Sequence, residues 1–361
     1  LELLKANLAP GVRLSRLHWG GGTPTLMPPD MMRRIARAVF DAFPLAEGAE
    51  FSVEIDPSEI DAARMAALAA SGMNRASIGV QDFDPEIQRV IGREQSFEVT
   101  RRAVDMIRDR GIQSLNTDIL YGLPHQTPHR ISDSIQKLMA LSPDRIALYG
   151  YAHVPWMARR QVMIPAEALP EPQDRLQLFE VARQLFLADG YDEIGIDHFA
   201  RPGDGLAVAQ KAGLLRRNFQ GYTDDQAQVL VGMGASSISR FPQGYAQNAP
   251  ATGAHVKAIR EGRFSTTKGH VFTPEDIWRA RMIEALMCDF RISADEFIRD
   301  HGFAPAALAE LFAPVKAQFG EMVTVNAAGL SIPFEGRPLT RMIARMLDGY
   351  EMEAKGHSPA I

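Results

Sequence analysis

The chain has 361 residues, 46% hydrophobic and 23% charged, enough for one large domain or two ordinary ones at roughly 150 residues each. A net charge of −5 and a pI of about 6.0 leave no basic surface for nucleic acid or an anionic membrane. The longest apolar runs, such as Met65–Ala70 and Ile146–Ala152, are far too short to span a bilayer. Cys288 is the single cysteine, so these residues alone build no disulfide and no Cys-only zinc or iron–sulfur site. A reducing, cytoplasmic setting is expected. The chain opens on Leu1 without a basic, then apolar leader, and reads as a fragment or a processed product.

Strands and helices alternate along the first two-thirds. The order is strand Arg16–Trp19, helix Pro29–Phe43, strand Glu50–Ile55, helix Ser58–Ala70, strand Arg75–Val80, helix Phe97–Asp109, strand Ser114–Leu120, helix Pro128–Leu141, strand Arg145–Tyr151, helix Pro172–Ala188 and strand Asp192–Ile196. Ser58, after Asp56-Pro57, is the expected cap of the second helix, and Gly111 and Gly190 stand where helices should stop. An alternation of about 30 residues implies parallel strands with right-handed crossovers. Polar or glycine-bearing turns follow strand after strand, which favours the active face of an α/β barrel over the single switch point of a doubly wound sheet. The expected fold is therefore α/β, a partial parallel (β/α)6-type barrel over residues 1–245. A mostly helical C-terminal domain should follow over residues 246–361. Its expected helices are Pro274–Met287, Ala294–His301, Pro305–Phe319 (interrupted near Pro314) and Pro338–Met352, with a small hairpin of Met322–Val325 and Leu330–Ile332.

Several constellations could carry chemistry. Gly20-Gly21-Gly22-Thr23-Pro24 exposes backbone groups after a strand, which suits a ligand's polar end or a plain tight turn. Glu54, Asp56, Gln81, Asp82, Asp118 and Asp197 close successive strands and form a candidate ring of carboxylates and amides. Such a ring suits a polar cofactor with ribose hydroxyls and an ammonium, or a divalent-metal hydrolase. His18, His153 and His198 lie near strand ends with no metal-ligand spacing, so hydrogen-bonded structural roles are expected for each. Arg93, Arg201, Arg216 and Arg217 sit in loops, where guanidinium forks suit substrate carboxylates or simple solvation.

The strings His18–Thr25, Val53–Pro57, Gly79–Phe83 and Asn116–Thr127 together resemble the radical S-adenosylmethionine superfamily. The stretches Gly195–Pro202 and Arg217–Thr223, continued by Gly232–Ile238 and Tyr245–Asn248, resemble its oxygen-independent coproporphyrinogen III oxidases. Heme-chaperone relatives share the earlier strings and differ in the later ones. The likeness runs from about residue 12 to 292, with an echo at Gly336-Arg337 and Leu347–Tyr350. The family's Cys-x-x-x-Cys-x-x-Cys motif for a [4Fe–4S] cluster has no counterpart here, and Arg216 stands where a His is common.

The resemblance implies a radical-SAM barrel that binds S-adenosylmethionine, one or two molecules of it. It implies backbone contacts from Gly21, Gly22 and Thr23 to the methionine end, with Glu54 at the ammonium and Arg93 at a carboxylate. Gln81 and Asp118 are implied for ribose hydroxyls, and Ala152 and Ile238 for the adenosine pocket. The implied reaction is decarboxylation of two propionates of coproporphyrinogen III to vinyl groups by a 5′-deoxyadenosyl radical, in porphyrin (heme) biosynthesis. Arg201 and Arg217 are the candidate substrate residues. An external electron donor, a monomeric state and no nucleic-acid or membrane partner are expected, and this chain alone should be inactive. The alternatives are a heme-binding chaperone of similar fold and a metal-dependent barrel hydrolase.

Overall fold

The computed structural model describes residues 1–350 apart from Met157 and the side chains of Arg159 and Arg160. Five strands, β1 (Leu14–Trp19), β2 (Leu45–Ile55), β3 (Arg75–Gln81), β4 (Ser114–Tyr121) and β5 (Arg145–Gly150), lie parallel and side by side in chain order. Helices Pro29–Ala42, Ala62–Ala70, Phe97–Arg108 and Pro128–Ala140 connect them, as the alternation requires. The second helix begins later than its sequence suggests. Asp61, not Ser58, accepts the Arg64 N–H at 2.7 Å, because Asp56 holds the Ser58 N–H at 2.9 Å and keeps residues 56–60 in a turn.

The expected strand Asp192–Ile196 is a hairpin instead. β6 (Asp192–Ile194) reverses through Gly195, at φ +55°, into β7 (His198–Ala200). A Cβ on Gly195 would stand 2.2 Å from the Tyr222 ring, so a glycine is needed for the chain to turn back beneath that tyrosine. β7 then pairs antiparallel with β5, giving the order β1-β2-β3-β4-β5-β7-β6.

Alternation along the strands sorts the sheet into two faces. Leu17, Phe51, Val53, Ile55, Ala76, Ile78, Val80, Leu115, Ile119, Ile146 and Leu148 face the helices, where they meet Met32, Leu68, Ile107, Ile135 and Phe186 in one buried core. The intervening residues face inward and are mostly polar. They are Arg16 and His18 on β1, Glu50, Ser52 and Glu54 on β2, Arg75, Ser77, Gly79 and Gln81 on β3, Asn116 and Asp118 on β4, and Arg145 and Tyr149 on β5. Near the amino ends of the strands, ion pairs close this inner face. Arg75 pairs with Glu50 at 2.6 Å and with Asp204 at 3.4 Å, and Arg145 pairs with Asp204 at 2.6 Å.

Beyond residue 200 the elements are short. β8 (Arg216–Asn218) and β9 (Gly221–Thr223) form a hairpin, and β10 (Ile238–Phe241), β11 (Gly244–Asn248) and β12 (Thr266–Val271) an antiparallel sheet. Residue 245, where the barrel was expected to end, lies inside β11. Helix Pro274–Asp289 leads to β13 (Arg291–Ser293), which joins the expected hairpin of β14 (Thr324–Asn326) and β15 (Gly329–Ser331) as a third strand. Helix Pro305–Phe319 runs unbroken through Pro314, since Leu308, Phe312 and Val315 on both sides of it are buried in a second core with Leu286 and Phe297. The expected helix Pro338–Met352 is a 3-10 stretch, Phe334–Leu339, followed by helix Thr340–Arg345, and Met352 falls outside the described residues. This second core docks on the barrel through Tyr222, whose hydroxyl donates to the Met287 carbonyl at 2.7 Å, and through Cys288, which packs with Ile194, Leu206 and Leu215.

Asp204 is 4% exposed at its side chain and serves two buried guanidiniums while capping Leu206 N–H. Asp204→Ala should destabilise the fold by about 3–5 kcal/mol, because it leaves buried charge unpaired. Asp30→Ala, which removes a solvent-exposed partner of Arg33, should leave the melting temperature almost unchanged. Thermal unfolding of the two variants beside the parent checks both.

Candidate active site

The carboxyl ends of the parallel strands form the mouth of the inner face. At β1, the chain passes through Gly20, Gly21 (φ +73°) and Gly22 (φ +38°) into a 3-10 turn at Pro24–Leu26. Nothing stands within 4 Å of where a Cβ on Gly21 or Gly22 would lie, so this backbone is open to a ligand. Gly20 lacks a side chain for a different reason. A Cβ there would meet His18 Nε2 at 2.4 Å and Glu54 Oε1 at 2.7 Å, so the glycine makes room for the Glu54 carboxylate beside the loop. His18 holds that carboxylate at 3.3 Å and Ser52 Oγ at 2.8 Å.

Gly79, Asp118, Ala147 and His198 fall in one row across β3, β4, β5 and β7. With no side chain at Gly79, Gln81 and Arg93 fill its place. A Cβ on Gly79 would sit 2.8 Å from Gln81 Nε2 and 3.4 Å from Arg93 Nη2. Gln81 adopts φ +67° where the register between β3 and β4 shifts, an uncommon conformation for a residue with a side chain. Arg93 Nη2 donates to the Gly79 carbonyl at 3.0 Å, and its buried Nε has no partner. Asp118 accepts from Asn116 Nδ2 at 2.9 Å. Burial pushes its pKa up, and Glu54 adds to the rise against the opposing charges of His198 and Arg93.

Across the mouth, Asp197 Oδ1 lies 2.7 Å from His198 Nδ1, and Arg341 Nη2 donates to Asp197 Oδ2 at 2.6 Å. Burial opposes ionisation of Asp197. The hydrogen bond and charge of His198, with Arg341 and Arg217, nevertheless hold its pKa below the usual range. The other nitrogen of His198 is 3.4 Å from the Tyr149 hydroxyl, which burial and the Asp118 and Asp197 charges keep protonated. Arg217 lies over the Tyr222 ring at 5.6 Å, its backbone N–H bound to Glu284 at 3.0 Å.

The structure therefore brings Gly21, Gly22, Thr23, Glu54, Gln81, Arg93 and Asp118 together on the β1–β4 side, and Arg217, Asp197 and His198 opposite them. Ala152 follows β5 at the mouth, exposed, its carbonyl bound by Gln161 Nε2 at 3.0 Å. Ile238 opens β10 in the separate sheet. Other expectations are corrected. Asp82 is fully buried, accepting from Gln126 at 2.8 Å, Ser134 at 2.7 Å and the Asp84 N–H at 2.7 Å, so it secures loops rather than a ligand. Asp56 is spent on its own turn. Arg201 follows β7, which runs antiparallel, and so lies at the opposite end of the sheet, stacked 3.9 Å over Tyr191 and paired with Asp189 at 2.9 Å. Arg216 turns toward Glu284 at 3.8 Å. Among the described residues, no three His, Cys, Asp or Glu side chains are placed to share a metal ion. Tyr149 and Arg341 were not foreseen. The alternation along β5 could have given Tyr149, whereas Arg341 arrives from a distant helix with no local motif.

Residues 1–138 match the Radical SAM superfamily. Along its whole length the chain is 79% identical to the oxygen-independent coproporphyrinogen III oxidase of Paracoccus denitrificans, covering 80% of that protein. It is 58% identical to that of Cereibacter sphaeroides over 98% of this chain and 79% of the relative. The solved structure of coproporphyrinogen III oxidase from Escherichia coli, described as a radical SAM enzyme, superposes with a TM-score of 0.90 at 37% identity, covering 97% of this chain and 82% of that one. The polar mouth described above thus sits in a fold and sequence of known kind: the chain belongs to the oxygen-independent coproporphyrinogen III oxidase family of radical SAM enzymes.

Proposed function

We propose that this chain takes part in the oxygen-independent conversion of two propionates of coproporphyrinogen III to vinyl groups, giving protoporphyrinogen IX in porphyrin biosynthesis. One observation carries the reading. The open Gly21–Gly22 backbone, Glu54, Gln81, Arg93 and Asp118 converge on one strand-end mouth, in a chain 79% identical throughout to a coproporphyrinogen oxidase. These residues fit S-adenosylmethionine. Glu54 offers a carboxylate to its ammonium, the Gly21–Thr23 backbone and Arg93 suit its carboxylate, and Gln81 and Asp118 suit ribose hydroxyls. Ala152 and Ile238 would line the adenosine, and the residues could divide between two molecules. When bound and reductively cleaved, this cofactor supplies a 5′-deoxyadenosyl radical able to take a hydrogen from a propionate β-carbon.

The chain's own part is to bind, orient and shield. The Asp118 carboxyl, held by Asn116 Nδ2 at 2.9 Å, can accept from a ribose hydroxyl. Tyr149 and His198 set a polar wall across from it, and Arg217 is the proposed partner for a substrate carboxylate. The residues present do not fit a [4Fe–4S] cluster. Cys288, the single cysteine of the sequence, is buried in the core, and burial pushes its pKa up to about 12, against the thiolate a cluster needs. An external electron donor, a monomeric enzyme and a cytoplasmic location complete the proposal. Among the described residues no helix is long and apolar enough to cross a membrane.

The test is anaerobic turnover by the cluster-loaded enzyme, meaning a protein that carries this chain together with a cluster-binding segment, with coproporphyrinogen III, S-adenosylmethionine and dithionite. Divinyl product and carbon dioxide are expected, whereas tight heme binding without decarboxylation would point to a chaperone. Residues 1–361 alone, treated with iron and sulfide, should give 5′-deoxyadenosine no faster than a blank.

Asp118 separates stability from binding. Its folded pKa lies above the unfolded value, so the native state holds the extra proton, and its contribution to stability falls as pH rises from about 4 through the folded pKa. Asp118→Asn does not titrate, so its unfolding free energy relative to the parent should rise over that window. Asp118→Ala should weaken S-adenosylmethionine binding by about 1.5–3 kcal/mol. Denaturation across pH and calorimetric titration of the loaded enzyme check the two parts.

A further inference from the structure

The β4–β5 side of the mouth holds a cation with no internal use. Arg175, in the first turn of helix Pro172–Ala188, reaches over the carboxyl ends of two strands. Its Nη1 lies 2.6 Å from where a Cβ on Gly122 would stand, and its Nη2 3.2 Å from the same point on Gly150. Gly122, at φ +81°, and Gly150 therefore leave a slot that the guanidinium fills, over Tyr121 at 5.8 Å from the ring centroid. Among the described residues, Arg175 forms no ion pair or side-chain hydrogen bond, and its Nε is buried without a partner. Arg217 is in the same condition, with its own Nε buried and unpartnered. Asp197, the nearby carboxylate, is hydrogen-bonded to His198 and Arg341 and feels the charge of Arg217, but it forms no ion pair with Arg175 or Arg217.

Unpaired, half-buried guanidiniums are costly unless an anion completes them. The chain as a whole is acidic, so these two cations stand out as a local exception. Arg93 on the S-adenosylmethionine side also has a buried, unpartnered Nε, but its Nη2 is held by the Gly79 carbonyl, whereas the Arg175 and Arg217 guanidiniums donate to no group among the described residues. A substrate with several carboxylates around a puckered tetrapyrrole ring would direct those carboxylates to the two guanidinium forks.

We propose that Arg175 is a carboxylate-binding residue for the porphyrinogen substrate, acting beside Arg217. The inference rests on the proposed substrate, and it assigns a specific role to a residue that no motif marks. Glycine at 122 is part of the same device, since a side chain there would displace the guanidinium, and one at 150 would crowd both the Tyr121 hydroxyl and Arg175 Nη2.

The test uses the stable oxidised analogue coproporphyrin III, with its tetramethyl ester as the control lacking carboxylates. Both are titrated by absorbance and fluorescence into the cluster-loaded parent, Arg175→Ala, Arg175→Lys and Arg201→Ala. Arg175→Ala should weaken coproporphyrin binding about tenfold or more while S-adenosylmethionine affinity and the melting temperature stay at parent values. Arg175→Lys should recover part of the loss, and Arg201→Ala, at the far end of the sheet, should bind as the parent does. The ester should bind alike to all four. In turnover, Arg175→Ala should raise KM for coproporphyrinogen more than it lowers kcat. Coproporphyrin affinity within twofold of the parent in Arg175→Ala overturns the proposal, whether or not vinyl product forms. Carboxylate-dependent binding through Arg175 without decarboxylation by the parent would uphold it and reject the oxidase reading instead.

Discussion

A parallel sheet with a polar inner face is the constraint on which the rest of this structure depends. Parallel strands are usually covered on both sides and read as nearly continuous apolar runs. Here only the helix-facing positions do so. Every second residue of β1 to β5 turns inward, and those residues include Arg75, Arg145, Glu54 and Asp118. Buried polar groups must find partners, so the inner face is organised as a set of answered charges. At the amino ends Asp204 and Glu50 answer Arg75 and Arg145. Toward the carboxyl ends the answers run out, and that is where ligands are invited.

The mouth divides by chemistry. On the β1–β4 side the groups are carboxylates, amides and open glycine backbone, suited to a small zwitterion with hydroxyls. On the side of β5, β7 and the β8 hairpin they are guanidiniums, phenols and a His–Asp pair, suited to a multiply anionic ring. The backbone accepts local strain to achieve this. Gln81 at φ +67° and the register shift beside Gly79 turn an amide into a space that regular pairing would have closed, at a cost of about 1 kcal/mol or more. The second core joins in through Arg341, which crosses from its helix to bind Asp197, while Arg217 forms no ion pair of its own among the described residues.

Much of this was legible in sequence, for a reason specific to parallel strands. Each strand end carries its functional group next to the turn, so Glu54, Gln81 and Asp118 could be read beside the breaks that follow β2, β3 and β4. Positional reading fails where direction reverses. Arg201 reads as another strand-end residue, but the Gly195 turn sends β7 antiparallel and carries Arg201 to the opposite end of the sheet. It also fails where a side chain closes inward on its own loop, as Asp82 and Asp56 do. Arg175 and Arg341 were invisible because their positions are set by tertiary packing and by no local motif, Arg341 arriving from a helix far along the chain. Pro314 gave a misleading signal for a related reason. Apolar residues on both sides of it are anchored in one core, which outweighs the missing backbone donor.

The account's central claim is that one polar mouth is divided into a cofactor side and a carboxylate-receiving side. A crystal structure of the cluster-loaded enzyme with S-adenosylmethionine and coproporphyrin III would test it most directly. The account predicts ribose hydroxyls within hydrogen-bond distance of Gln81 and Asp118, and porphyrin carboxylates on Arg175 and Arg217. A ribose bound elsewhere, or porphyrin carboxylates directed to solvent or to the Arg201 end of the sheet, would contradict it.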